Sequence, residues 1–100
     1  MRRGTTPTHI FKTSVDLTDA EVIFITYYQG KKVVLEKTKD DLEELTAEEL
    51  KVTLAQTDTL MFSVSGGVDI QIRARFPDGA AIASQVIHTS VQAILKQGVI

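Results

Sequence analysis

A chain of 100 residues with a formal net charge of −2 and 24% charged residues is long enough to bury one core. It carries no excess of either sign that would draw nucleic acid or an acidic membrane to the molecule as a whole. The absence of cysteine excludes disulfides, thiolate catalysis and Cys-based zinc sites together.

Residues 1–8, Met1-Arg2-Arg3-Gly4-Thr5-Thr6-Pro7-Thr8, are polar. Pro7 holds Thr6 in extended conformations, so the stretch reads as an N-terminal arm ahead of a single domain over residues 9–100. The start is basic but leads into no apolar h-region, and no apolar run approaches membrane-spanning length. The expectation is a soluble protein made in the cytoplasm, without a membrane partner.

From His9 to Leu17, Phe11, Val15 and Leu17 share one face with Thr13 between them, which predicts a first strand at a sheet edge. Glu21 to Tyr28 is apolar on both faces and rich in β-branched and aromatic residues, as a central strand is. The short Gln29-Gly30-Lys31 connection to Val33-Val34-Leu35-Glu36 predicts an antiparallel hairpin. From Glu36 to Glu49 acidic residues dominate. Thr46-Ala47-Glu48-Glu49 has the form of a helix capping box, but Leu50-Lys51-Val52-Thr53-Leu54 alternates, so a turn before a strand is preferred to a helix.

Thr57 is placed to cap a single helical turn, with Leu60 and Phe62 plugging the core. Ser65-Gly66-Gly67 then releases the chain into Val68–Phe76, where apolar and polar residues alternate without a break. Pro77-Asp78-Gly79 follows as a type I turn with Gly79 at a positive φ, a hairpin signal. The return strand is expected from about Ala81 to Val91. Ala83, Ile87 and Val91 lie on one of its faces and Ile82 and Val86 on the other, so one face meets something besides water. The end, Val91 to Ile100, reads as one helical turn stopped near Gly98.

About six to seven short strands with punctuation at hairpin spacing predict an all-β fold, an antiparallel β-sandwich of immunoglobulin/fibronectin-III-like architecture, with a small β-barrel as the alternative. The paired cysteines and buried tryptophan of antibody domains are missing.

Candidate chemistry is sparse. His9 and His88 stand in no metal-binding spacing, and a surface or strand-edge role is the plainer reading. Asp40, Asp41, Glu43 and Glu44 lack the alternating ligands and glycine of a calcium loop and read as a solvated, edge-protecting segment. Arg73 and Arg75 project from one face of their strand and, with Arg2 and Arg3, could make a basic patch. No aromatic side chains interleave them, so nucleic acid is not the preferred partner. No serine sits in a nucleophile context. The expectation is a non-enzymatic protein without metal or cofactor.

The opening Met1 to His9, the segment Leu54 to Phe62, the strand Val68 to Arg73 and the ending Ile94 to Ile100 together resemble a group of small proteins encoded in phages and prophages of Gram-positive bacteria, among virion structural genes. The resemblance covers most of the chain. It implies a bacterial setting and a phage structural or accessory role, with incorporation into the particle as one outcome, and it names no functional residue.

Extended chain ends suit such a role because they can be donated to a neighbour. The candidate contacts are Thr5, Thr6, Pro7, Thr8 and His9 at the start and Leu95, Val99 and Ile100 at the end, acting toward a protein partner or a second copy in a homo-oligomer. A carbohydrate or host-surface binding module is the alternative, favoured by aromatic side chains exposed on a flat face, with Tyr27 and Tyr28 as candidates. A nucleic-acid-binding accessory role through Arg73 and Arg75 is the weaker one.

Overall fold

A computed structural model describes all residues from 1 to 100. The alternation in Val68–Phe76 becomes strand β6 (Val68–Arg75), with Val68, Ile70, Ile72 and Ala74 buried and Arg73 and Arg75 exposed. β6 pairs antiparallel with β2 (Val22–Gln29), setting Ile23 opposite Ala74, Ile25 opposite Ile72 and Tyr27 opposite Ile70. The shared period of two therefore puts both apolar sets on one face. β3 (Lys32–Thr38) pairs with the far side of β2, while β7 (Ala81–Ala83) and β8 (Ile87–Thr89) succeed one another along the far edge of β6.

A second antiparallel sheet contains β1 (Thr8–Lys12), β4 (Glu44–Leu45) and β5 (Glu49–Thr53) in the order β1-β5-β4. No strand pairing joins it to the first. The fold is therefore an antiparallel β-sandwich, and the barrel alternative is overturned.

Phe11, Leu50 and Val52 face Ile23, Ile25, Tyr27, Ile70 and Ile72 across a common core. One end is plugged by α1 (Gln56–Thr59) and by Leu54 and Phe62, while Leu60, expected beside Phe62, is only half-buried and outside the core cluster. Thr59, wholly buried, satisfies its hydroxyl by donating to the Thr5 carbonyl at 2.9 Å. Asp58 accepts from the Ala55 N–H at 2.8 Å and pairs with Lys37 of β3 at 3.0 Å, which ties the plug to the large sheet. Thr57, expected as the cap, lies inside the turn, whose N-cap position is Ala55.

Both hairpins form where turn chemistry placed them. Gly30 and Lys31 have φ of 61° and 63°, the paired positive values of a turn whose twist matches the strands it joins. In the second, the Phe76 N–H donates to the Ala80 carbonyl at 2.8 Å and Gly79 has φ of 89°. Before β5, the Thr46 N–H donates to the Glu49 carbonyl at 2.9 Å, and the preferred turn is what forms. The helical conformation in this acidic region is a 3₁₀ turn at Lys39–Asp41, where Asp41 accepts the Thr38 N–H at 2.8 Å.

Four expectations are corrected. The first strand stops at Lys12, because Asp16 accepts the N–H and hydroxyl of Thr18 and turns the chain across to the other sheet. Leu17 enters the core from this crossing, while Val15 stays exposed. The return strand breaks at Ser84–Val86, where the Ser84 hydroxyl accepts the Ile72 N–H at 2.9 Å in place of a ladder carbonyl. The ending forms no helical turn. The N-terminal arm folds back on its own domain, with Arg2 bridging to Gln92 in parallel and the Met1 ammonium donating to the Ser90 carbonyl at 2.8 Å.

Gln29, buried at the end of β2, binds the 63–67 loop with three contacts: its amide donates to the carbonyls of Ser63 (2.7 Å) and Gly67 (2.9 Å), and its oxygen accepts the Ser63 N–H at 2.8 Å. Gln29→Leu keeps the volume but strands three backbone groups, and should destabilise the fold by about 2 to 4 kcal/mol in urea unfolding. An unchanged midpoint would show that the loop is held by something else.

Candidate functional site

The two lateral sides of the sandwich are not alike. On one, the chain passes from β3 to β4 through the 3₁₀ turn. Leu35, Leu42 and Leu45 pack against the core there, and Lys39 donates to the Ala20 carbonyl at 2.7 Å. On the other side, β1 ends the small sheet and β7 and β8 end the large one, and the two edges meet only beyond the strands: Arg2, ahead of β1, bridges Gln92, after β8, and the 13–17 crossing lies at the opposite end.

Backbone parity fixes what these two edges present. The Leu54 N–H donates to the Pro7 carbonyl and the Thr13 N–H to the Glu48 carbonyl, so the odd residues of β1 point their main-chain groups toward β5. Ile10 and Lys12 therefore direct theirs outward. The Ser84 N–H donates to the Ile72 carbonyl and the Phe76 N–H to the Ala80 carbonyl, which turns Ala81 and Ala83 outward in the same way.

Between these edges runs an apolar groove of about 680 Å³, lined chiefly by Phe11, Val15, Leu17, Ile72, Ile82 and Ile87. It is an apolar cleft flanked by two unpaired strand edges. Its signal in the sequence was the return strand with apolar residues on both faces. Ile82 and Ile87 sit on opposite sides of the Ser84–Val86 break, yet both line the groove.

Of the predicted contact residues at the start, Thr5 donates to the Arg2 carbonyl at 2.7 Å and accepts from Thr59. Pro7 carries the first β1–β5 hydrogen bond, and Thr8 pairs with Thr53 at 2.7 Å. Thr6 alone among them is exposed without a contact of this kind. These residues are engaged within their own chain and are not a free arm. At the other end, Leu95, Val99 and Ile100 are exposed, Leu95 completely.

The arginines do not converge. Arg2 and Arg3 bind the carbonyls of Ala93 and Leu60 at one end of the strands, whereas Arg75 pairs with Glu21 at 3.6 Å at the other. Nor do the histidines meet. His88 pairs with Asp69 at 2.7 Å on the outer face of the large sheet, while His9 faces the core. No cluster of three or more His, Cys, Asp or Glu is positioned to hold a metal ion. Tyr27 is wholly buried, and Tyr28 and Phe24 are part-exposed on the outer face, Phe24 opposite Arg73 and Tyr28 opposite Asp69. Phe24 is a surface aromatic that the sequence reading did not single out.

His9 Nδ1 lies 2.7 Å from the Tyr27 hydroxyl, a contact that joins the two sheets. Burial, and secondarily the positive N-terminus, lowers the His9 pKa from its ordinary 6.5, while burial and then the Asp58 charge raise that of Tyr27. The phenol keeps its proton and donates it to an uncharged imidazole. The unfolded chain takes up a proton near pH 6.5 that the folded chain takes up only at lower pH. His9 thus lowers stability as pH falls below 6.5, down to the depressed folded value, and has no effect above 6.5. In thermal unfolding between pH 7.5 and 5.5, His9→Gln should lose less stability than the parent chain. Parallel profiles would place no titration at His9.

Compared with known proteins, no family model, no curated protein and no solved structure matches the chain.

Proposed function

We propose that this protein is a non-enzymatic structural or accessory component of a phage or prophage, a tail, baseplate or head-associated module that works through protein–protein assembly. One observation carries the assembly part: the open lateral side, where the unpaired edges of β1 and β7 flank the groove between Phe11, Ile72 and Ile82. An exposed strand edge binds an extended segment through its main chain, and an apolar cleft beside it selects the side chains. The phage setting rests on the sequence resemblance over the opening, the 54–62 segment, β6 and the ending.

Val15 and Ile87 line the groove and are already part-exposed, so Val15→Lys with Ile87→Lys alters the cleft with little cost to the core. Light scattering at rising protein concentration should give masses above the 11.0 kDa of one chain for the parent and about 11 kDa throughout for the double variant. A parent at 11.0 kDa over the whole range would contradict self-assembly.

The alternative, a carbohydrate or host-surface binding module, is favoured by a separate observation. Phe24 and Tyr28 lie on one sheet face with Gln71, Asp69 and Arg73 opposite or between them. Four residues along a strand separate the rings by about 13 Å, room for a run of sugar rings stacked on aromatics with polar side chains at their edges. Glycan-array binding lost in Phe24→Ala and Tyr28→Ala, with unchanged unfolding midpoints, would favour this reading. No binding by the parent chain would remove it.

A further inference from the structure

We infer that the groove receives the C-terminal segment Leu95–Ile100 of a second copy, so that copies join head to tail. The inference rests on the assembly reading above and names its donor and acceptor.

The segment is the least covered apolar stretch of the molecule. Leu95 is fully exposed, Ile100 is 86% and Val99 60% exposed. It is held to its own chain by polar contacts at the surface: the Ile100 N–H donates to Gln56 Oε1 at 2.9 Å, the Gln56 amide donates to the Ile100 carbonyl at 3.3 Å, and Arg3 donates to Gln97 at 3.4 Å. Gly98, at φ of 83° with nothing packed on it, gives the segment freedom to straighten. These contacts exchange readily with water, and none of them buries an apolar side chain.

Donor and acceptor face different ends of the sandwich. Gln56 and Arg3 belong to the end where β1 begins and β5 finishes, marked by the Leu54–Pro7 hydrogen bond. The groove opens toward the other end, beside the 13–17 crossing and Ala74. In a molecule 47 Å long the segment is tethered at the end away from its own groove, and a second copy fills that groove. A contact between two different patches does not close on itself as a twofold dimer does, and it propagates into a ring or a filament.

Area and charge agree with this occupant. Six donated residues and the lining they cover bury on the order of 1,000 Å² in total, at the low end of specific interfaces, so each junction is reversible. Lys96 is the segment's only charged side chain, and Asp16, which accepts the Thr18 N–H and hydroxyl, stands in the chain between the groove-lining Val15 and Leu17. Lys12, the one cation on the lining, has Glu49 opposite it on β5.

Mixing two variants tests the inference. A chain ending at residue 94 keeps the acceptor and lacks the donor, while Val15→Lys with Ile87→Lys keeps the donor and spoils the acceptor. In sedimentation velocity from about 1 µM to 1 mM, the parent should form species that grow past the dimer. Each variant alone should stay monomeric, and the equimolar mixture should give dimers and nothing larger. Leu95→Asp with Val99→Asp, a fold-neutral change at exposed positions, should weaken the mixed dimer at least about tenfold. If the shortened chain assembles as the parent does, or folded partners fail to pair in the mixture, the donor is not this segment and the inference falls while self-assembly stands. A parent that stays monomeric throughout ends both.

Discussion

The pairing of β2 with β6 is the constraint on which the rest of the molecule depends. It aligns Ile23, Ile25 and Tyr27 with Ala74, Ile72 and Ile70, making a floor of six buried side chains, each worth roughly 1 to 3 kcal/mol of burial according to its size. β3, β7 and β8 pair with its two strands, and β4 is placed through β5. The small sheet lies on that floor through Phe11, Leu50 and Val52, Gln29 ties its end to the 63–67 loop, and the Lys37–Asp58 pair seats the plug beneath it.

The groove follows from a mismatch of widths. Three strands of the small sheet face a large sheet with four lateral positions. The β3-to-β4 connection holds the two in line on one side, so the deficit accumulates on the other. Ile72 and Ala74 at the base of the groove are only 5% exposed, within the core they share with Phe11 and Leu17, and Val15, Ile82 and Ile87 form its less covered rim. An open strand edge is a liability for indiscriminate pairing. Here it is blunted because β7 and β8 are three residues each and are broken by Ser84–Val86. What stays available is selective, a short run of main chain beside a cleft that rewards apolar side chains.

Much of this was legible in the sequence, and for local reasons. The alternation of Val68–Phe76, the two hairpins and the turn at Thr46 each depend on neighbouring residues, and each formed. The readings that missed concern residues whose partners are distant in the chain. Val15 and Leu17 continue the alternation of Phe11, but Asp16 and Thr18 bend the backbone after Lys12. The 81–91 segment has strand composition throughout, but the Ser84 hydroxyl substitutes for a ladder carbonyl. The N-terminal arm looks free because nothing nearby holds it, whereas Ser90 and Gln92 do. The groove is legible only as apolar excess in Ile82 and Ile87, because a missing strand leaves no residues of its own.

The central claim, that the sandwich is open on one lateral side and closes there only against another chain, makes a residue-level statement about amide protons. In β1, His9 and Phe11 point theirs to β5, and Ile10 and Lys12 point theirs to solvent, as Ala81 and Ala83 do in β7. Hydrogen exchange followed by NMR in dilute solution should find the first pair protected and the other four fast, with the four slowing as concentration rises. Protection of Ile10, Lys12, Ala81 and Ala83 in the dilute monomer, or fast exchange at all four once the mass has grown, would contradict the account.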